Sequence, residues 1–161
     1  MDAAEQAELV GKIFLAAFCG GLIGWQRDRH HYDAGMRTMA LVALGATLFT
    51  GLNETLGVDR IAANIVTGVG FLGAGIIFRE GVTVRGITTA ATVWAVAAIG
   101  MAIGVELYLV ALVTTPLVFV ILEMRSISEF LSGRLAGVSF LKPLRNSSSE
   151  SDLPSPDDNV N

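Results

Sequence analysis

The sequence predicts an all-α fold, a polytopic membrane bundle of about five transmembrane helices, on three observations. Hydrophobic residues make up 52% of the 161 positions and charged residues 16%, with a mean hydropathy of +0.59. A soluble domain of this size needs more polar surface to cover its core. Uncharged runs reach 18 and 20 residues, the length that crosses a bilayer. The charges lie almost wholly between these runs and at the two chain ends.

Five spans are expected from the apolar runs. The first is interpreted as a retained helix, because acidic residues precede it where a signal peptide carries positive charge. The fifth contains Pro116, which a membrane bundle tolerates because neighbouring groups satisfy the carbonyl that proline frees. The predicted spans are Leu9–Trp25, Thr38–Leu52, Ile61–Phe78, Gly86–Val105 and Leu107–Leu122.

Lysine and arginine are distributed unequally between the two ends of these spans. One face receives nine of them, and the other receives two, Lys12 and Arg60. Because positive residues mark the cytoplasmic side, the N-terminus is predicted outside and the C-terminus in the cytoplasm. The nine are Arg27, Arg29, Arg37, Arg79, Arg85, Arg125, Arg134, Lys142 and Arg145.

Three segments are predicted along the chain. Residues 1–125 form the transmembrane domain. Residues 126–145 mix apolar and polar residues at roughly helical spacing and predict an amphipathic helix on the inner leaflet. Residues 146–161 are polar and acidic, and we expect a disordered tail because they cannot bury a core.

Glycines recur within the spans at spacings that bring helices together. Gly68–Gly73 matches the dinucleotide fingerprint GxGxxG, but neither a preceding buried strand nor the expected acidic residue accompanies it. Helix packing, within one copy or between two, is therefore the favoured role. The glycines assigned to packing are Gly20, Gly24, Gly68, Gly70, Gly73, Gly75, Gly100 and Gly104.

Arginine and threonine concentrate at the predicted cytoplasmic ends of the spans. An arginine within hydrocarbon costs ~2.5–3.5 kcal/mol on insertion scales, so these residues are expected at the interface or in a polar pocket. Arginines that converge near threonines at the start of a span form a site suited to binding an anion or a carboxylate. The competing interpretation is that these arginines serve only to set the membrane orientation and to structure the loops. The candidate pocket comprises Arg27, Arg37, Thr38, Arg79, Glu80, Arg85, Thr88 and Thr89.

Other functional classes lack the residues that they need. The sequence places no carboxylate in the central part of a predicted span, which argues against a magnesium ligand cluster or a carboxylate-lined ion pathway in one copy. It offers no nucleophile–base pair or phosphate loop for an enzyme, and no basic stripe for nucleic acid. We therefore assign no catalytic, cofactor or metal residue.

Several motifs, in order across residues 10–122, resemble the MgtC/SapB family of bacterial inner-membrane proteins. They are Gly21–Arg27, Ala34–Thr38, Asp59–Ala63, Gly68–Gly75, Val84–Trp94 and Ala98–Gly100. The resemblance implies a multi-pass protein of the bacterial cytoplasmic (inner) membrane. It also implies a link to growth under magnesium limitation and, in pathogens, to survival inside host phagocytes.

The resemblance further implies a regulator, with the membrane ATP synthase as a suggested target. Magnesium as a cofactor rests on the family resemblance alone, since the sequence offers no ligand cluster for it. Two departures stand out: Gln26 occupies a position where the family usually has Glu, and no segment of these 161 residues is expected to form the soluble C-terminal domain of many members. Asp59 and Arg60 form an extracytoplasmic motif. The residues carried over are Arg27, Gly35, Arg37, Thr38, Asp59, Arg60, Gly73, Arg79, Arg85, Thr88 and Thr89.

Two functions follow from these observations. The leading one is a non-catalytic regulator that acts through helix contacts with a larger membrane complex, with membrane lipid and a second copy of the chain as further partners. The alternative is a magnesium or other ion transporter or channel subunit with a pore at an oligomer interface. The alternative predicts a wet cavity lined by Thr67, Thr88, Thr89 and Thr92.

Overall fold

The computed structural model describes residues 2–56, 60–80 and 83–136, excluding the side chains of residues 54–56, 79–80 and 125–136. Within these ranges it confirms the predicted all-α bundle, with a helix at each expected span. The elements are α1 (Ala3–Arg29), α2 (Met36–Leu56), α3 (Ile61–Ile76), β1 (Phe78–Glu80), β2 (Thr83–Arg85), α4 (Ile87–Gly104) and α5 (Tyr108–Ala136).

The connection between α3 and α4 differs from the sequence prediction. Helix α3 ends at Ile76 instead of Phe78, and β1 and β2 form an antiparallel ribbon in which Phe78 lies opposite Arg85. The aromatic and β-branched residues at this point favour extended backbone over helix. Gly86 then begins α4 with φ +87°, a conformation that suits glycine, and a Cβ there would meet the carbonyl oxygen of Ile76.

Helix α1 begins well before the predicted Leu9 because a capping box stabilises its first turn. The Asp2 carboxylate accepts from the Glu5 backbone N–H at 2.8 Å, and the Glu5 carboxylate accepts from the Asp2 backbone N–H at 2.9 Å. These reciprocal bonds satisfy two of the donors that a helix start leaves without partners.

The centre of the bundle is built from α1, α2 and α4, which approach one another at glycines. A Cβ at Gly20 would lie 2.5 Å from the Met39 carbonyl oxygen, and one at Gly104 would lie 2.6 Å from Thr50 Cβ. Gly24 and Gly100 meet the backbone of α2 at comparably short range. These positions place α1 antiparallel to α2 and α2 parallel to α4. The largest buried apolar side chains are Ile23, Met39, Val93, Val96, Ile99 and Ile103.

Helices α3 and α5 lie at the periphery of the bundle. Gly73 makes an ordinary contact with α4, since its Cβ would lie 3.5 Å from Ala90 Cβ. A Cβ at Gly68, Gly70 or Gly75 would meet no described atom within 4 Å, so these three are open towards the described part of the chain. The packing role expected for them stays a prediction.

Helix α5 continues through Pro116 and beyond the predicted fifth span to Ala136. The first part of the predicted 126–145 helix is thus a continuation of α5, in the second of two units into which the chain divides at Arg125–Ser126. Residues 137–161, including the predicted tail, lie outside the described residues.

Two helices of the described chain, α1 and α4, are long and apolar enough to cross a membrane. Helix α3 and residues Tyr108–Met124 are shorter apolar helices. Large apolar side chains point outward from several of them, with Phe14 72% and Phe71 81% exposed. Such surface suits lipid better than water, and the count of five crossings remains a prediction.

Candidate functional site

Three consecutive residues at the C-terminal end of α1 each contact a different part of the fold. Gln26 reaches α5, Arg27 reaches α4, and Asp28 reaches the first turn of α2. Because successive helical residues point about 100° apart, one short segment of α1 can address all three neighbours. We call the residues Gln26, Arg27 and Asp28 with their direct partners the α1 junction.

Arg27 is the central side chain of the α1 junction and is fully buried, at 0% exposure. Its Nε donates to the Ala34 carbonyl at 3.0 Å, and its Nη1 and Nη2 donate to the hydroxyls of Thr92 at 3.2 Å and Thr89 at 2.6 Å. Thr92 donates its own proton to the Thr88 carbonyl at 2.7 Å, which leaves its oxygen lone pairs to accept from Arg27. The planar guanidinium fork matches this set of oxygens.

The Arg27 guanidinium makes its direct contacts with neutral groups and an aromatic ring. Its guanidinium carbon lies 4.5 Å from the centre of the Tyr32 ring, a cation–π geometry. Among the residues that the structure describes, no carboxylate oxygen lies within 4 Å of the guanidinium. Three neutral oxygens and one aromatic face therefore surround the cation. The first loop and the start of α4 are fixed to α1 through one side chain.

Asp28, which belongs to α1, caps the N-terminus of α2. Its Oδ2 accepts from the Met36 backbone N–H at 2.9 Å, which satisfies one of the free donors at the α2 N-terminus. A Cβ at Gly35 would collide with this carboxylate. Glycine at position 35 is thus required for Asp28 to reach the helix end.

Gln26 joins α1 to α5. Its Nε2 donates to Glu123 Oε2 at 2.9 Å, and the side chain is 3% exposed. Its other polar atom, Oε1, is buried without a partner among the described atoms. The Gln26 amide therefore supplies a donor to the half-buried Glu123 carboxylate.

Lys12 joins the same two parts of the chain at the opposite end of α1. Its Nζ lies 3.0 Å from a Glu8 carboxylate oxygen and 2.9 Å from Glu106 Oε1, in the turn between α4 and α5. The hydrogen bond from Lys12 lowers the pKa of the Glu106 carboxyl. Since Gln26 meets Glu123 further along α5, the two contacts show that α1 and α5 run parallel.

The structure brings together only part of the predicted candidate pocket. Arg27 and Thr89 are in contact, whereas Arg37, Thr38, Arg85 and Thr88 are exposed. Arg60 is exposed at the start of α3. The side chains of Arg79 and Glu80, and all of Asp59, lie outside the described residues.

Three contacts were missed at the sequence level, namely Thr92 with Arg27, Gln26 with Glu123, and Lys12 with Glu106. Thr92 follows Thr88 and Thr89 at helical spacing, which signals a shared polar face. Lys12 is a lone cation inside an apolar helix, a position that usually has a partner. Within the described residues, no group of three His, Cys, Asp or Glu side chains could hold a metal ion.

The chain matches the family model of the MgtC family over residues 13–130. Protein MgtC of Brucella abortus (strain 2308) is 50% identical over 110 residues, which cover 66% of this chain and 45% of the relative. Protein MgtC of Salmonella typhimurium (strain 14028s) is 48% identical over 106 residues, covering 64% and 46%.

The chain thus spans about half the length of the curated relatives it matches. No solved structure matches it. The family match covers most of the residues that build the α1 junction and agrees with the resemblance seen in the sequence motifs. With its apolar outward-facing helices, the chain is a membrane protein, and it belongs to the MgtC family.

Proposed function

We propose that this protein is a non-catalytic regulator of the bacterial inner membrane that contacts a larger membrane complex, such as the ATP synthase, during magnesium limitation. One observation carries the proposal. Helix α3 presents an outward face of small residues to which no part of the described chain is packed. This face, the α3 small face, consists of Ala63, Thr67, Gly70 and Ala74.

The α3 small face has the properties of a helix-docking surface. Its four residues are exposed and recur at helical spacing, and a Cβ added at Gly70 would have no described atom within 4 Å. Thr67 donates its hydroxyl to the Ala63 carbonyl at 3.1 Å, so its hydrogen bonding is already satisfied. Within lipid, faces of this kind let two helix backbones approach closely.

The threonines favour a regulator over a transporter. Thr89 and Thr92 are 4% and 3% exposed and hydrogen-bond to Arg27, whereas Thr67 lies on the outward face of α3. They therefore do not line one cavity together. The groove between α2 and α3 is lined mainly by apolar residues, as is a smaller cavity between α3 and α4. Neither offers a continuous row of oxygens for an ion.

Site-specific crosslinking in native membranes tests the proposal. A photoreactive amino acid at the position of Thr67 is expected to capture a subunit of the ATP synthase from magnesium-limited cells. Gly70→Leu on the same face is expected to abolish capture, because its side chain would keep the partner helix away.

Gly68→Leu provides the matched control, since Gly68 is equally open but lies on the opposite side of α3, facing α2. It is expected to leave capture unchanged. Capture of only lipid and of the chain itself, under both magnesium-rich and magnesium-limited growth, would overturn the proposal.

A further inference from the structure

A groove of about 680 Å³ runs between α2 and α3 on the outside of the bundle. Two glycines, Gly45 and Gly68, form part of its lining, and a Cβ added at either one would have no described atom within 4 Å. The large apolar side chains of Leu41, Phe49 and Leu72 also line the groove. We call this feature the α2–α3 groove.

Polar residues line both ends of the α2–α3 groove. Thr38 lines one end, and the preceding residue, Arg37, is exposed. Arg37 has no hydrogen bond or ion pair with any residue in the described part of the chain. The lining towards the other end consists of Phe49, Ile61 and Asn64, and the exposed Arg60 immediately precedes Ile61. An exposed arginine thus adjoins each end of a groove whose lining carries no charge, and Arg37 is the one at the end predicted to be cytoplasmic.

We infer that the α2–α3 groove binds an anionic phospholipid, with one acyl chain in the groove and the phosphate paired with Arg37. An anionic phospholipid is complementary to this arrangement, since its negative headgroup can pair with Arg37 and its acyl chain can contact the mainly apolar lining. Basic pockets between membrane helices on the cytoplasmic side bind anionic headgroups, and Arg37 belongs to the face predicted to be cytoplasmic.

A partner helix fits this groove less well than an acyl chain does. Close helix docking uses a face of small residues, as on the opposite side of α3. Here the glycines lie between projecting side chains, with Leu41 66% and Phe49 55% exposed. A flexible chain can follow such a slot, whereas a helix with side chains is about 10–12 Å across. The inference is independent of the proposed regulatory contact, which uses a different face of α3.

Native mass spectrometry of the purified full chain tests this site. The protein in detergent is mixed with phosphatidylglycerol or with phosphatidylcholine of the same acyl chains, and the retained lipid is measured. Wild type is expected to retain phosphatidylglycerol about fivefold better, the preference that one arginine supplies near an anionic surface. Arg37→Gln is expected to remove this preference, and Gly68→Leu is expected to reduce retention of both lipids by filling the groove.

Two matched variants serve as controls. Arg60→Gln changes the exposed arginine beside the other end of the groove, at the start of α3, and Gly70→Leu changes an open glycine outside the groove. Both are expected to retain lipid as wild type does. Equal phosphatidylglycerol retention in wild type and Arg37→Gln would overturn the inference. So would a Gly68→Leu chain that keeps its lipid but loses a dimer, because the occupant would then be a second copy.

Discussion

Arg27 Nη2 donates to Thr89 Oγ1 at 2.6 Å and so joins two residues that are 62 positions apart in the sequence. The bond connects the end of α1 to the first turn of α4, and both partners are buried. It explains why an arginine is accommodated at the end of an apolar bundle. All described contacts of the Arg27 guanidinium are with other residues of this chain. Arg27 therefore acts as a structural link between the loop that connects α1 to α2 and the start of α4.

Thr89→Val should destabilise the protein because it leaves Arg27 Nη2 buried without this acceptor. The expected loss in the free energy of unfolding is about 1–3 kcal/mol, the cost of a buried donor that loses its partner. Denaturant unfolding of the purified protein in detergent measures it. The neighbouring Thr88→Val is the matched control, since Thr88 is exposed and only its backbone carbonyl takes part in the α1 junction. Equal losses in the two variants would contradict the assignment.

Alanine substitutions at Gly24 and Gly21 should have opposite effects. A Cβ at Gly24 would lie 2.7 Å from the Gly35 carbonyl oxygen and from the Met36 nitrogen, and backbone atoms cannot swing aside. Gly24→Ala is therefore expected to cost about 1–3 kcal/mol. At Gly21 the nearest atom is the flexible Met36 Cγ at 3.7 Å, so Gly21→Ala should stabilise the helix by about 0.5–1 kcal/mol. Melting temperatures in detergent distinguish the two, and a shift of the same sign in both would be inconsistent with this packing.

Exchanging Gln26 and Glu123 tests the α1–α5 contact. Gln26→Glu alone would set two carboxylates against each other in place of the 2.9 Å hydrogen bond, and we expect a lower free energy of unfolding at pH 7. Adding Glu123→Gln restores one donor and one carboxylate with the roles reversed. A double-mutant cycle should give a coupling of about 0.5–3 kcal/mol. Strictly additive effects would show that the two side chains do not interact.

The Lys12–Glu106 pair should make stability depend on acid pH. Lys12 lowers the pKa of Glu106 below its ordinary value of 4.5, so the folded state favours the ionised carboxylate. A carboxyl with a depressed pKa contributes stability above the unfolded pKa and loses it as the pH falls towards the folded one. The melting temperature of wild type should therefore exceed that of Glu106→Gln at pH 7. The difference should shrink as the pH is lowered below 4.5, and a difference that stays constant down to about pH 3 would refute the assignment.

Helix positions were predictable from the sequence, whereas helix ends and partners were less so. The apolar runs located the five helices that the structure describes, because run length reports directly on burial in lipid or core. The early start of α1 depends on the capping pair Asp2 and Glu5, and the ribbon at Phe78 depends on pairing between β1 and β2. Capping and strand pairing of this kind place a helix end away from the end of its apolar run.

The partners of individual residues depend on helix register, which composition does not report. Arg27 and Arg37 both border the first loop, yet only Arg27 faces Thr89, while Arg37 is exposed. Gly24 and Gly70 both belong to plausible packing motifs, yet Gly24 meets α2 and Gly70 meets no described atom. The orientation of each helix about its own axis decides these outcomes, and it is set by packing across the whole bundle.

Magnesium flux into proteoliposomes tests the regulatory account most directly. The purified chain is reconstituted into vesicles that contain a magnesium-sensitive dye, with an ionophore added at the end to show that the dye responds. The account predicts influx equal to that of protein-free vesicles under an imposed magnesium gradient. A steady, saturable influx that rises with the amount of protein would contradict it and favour a transporter.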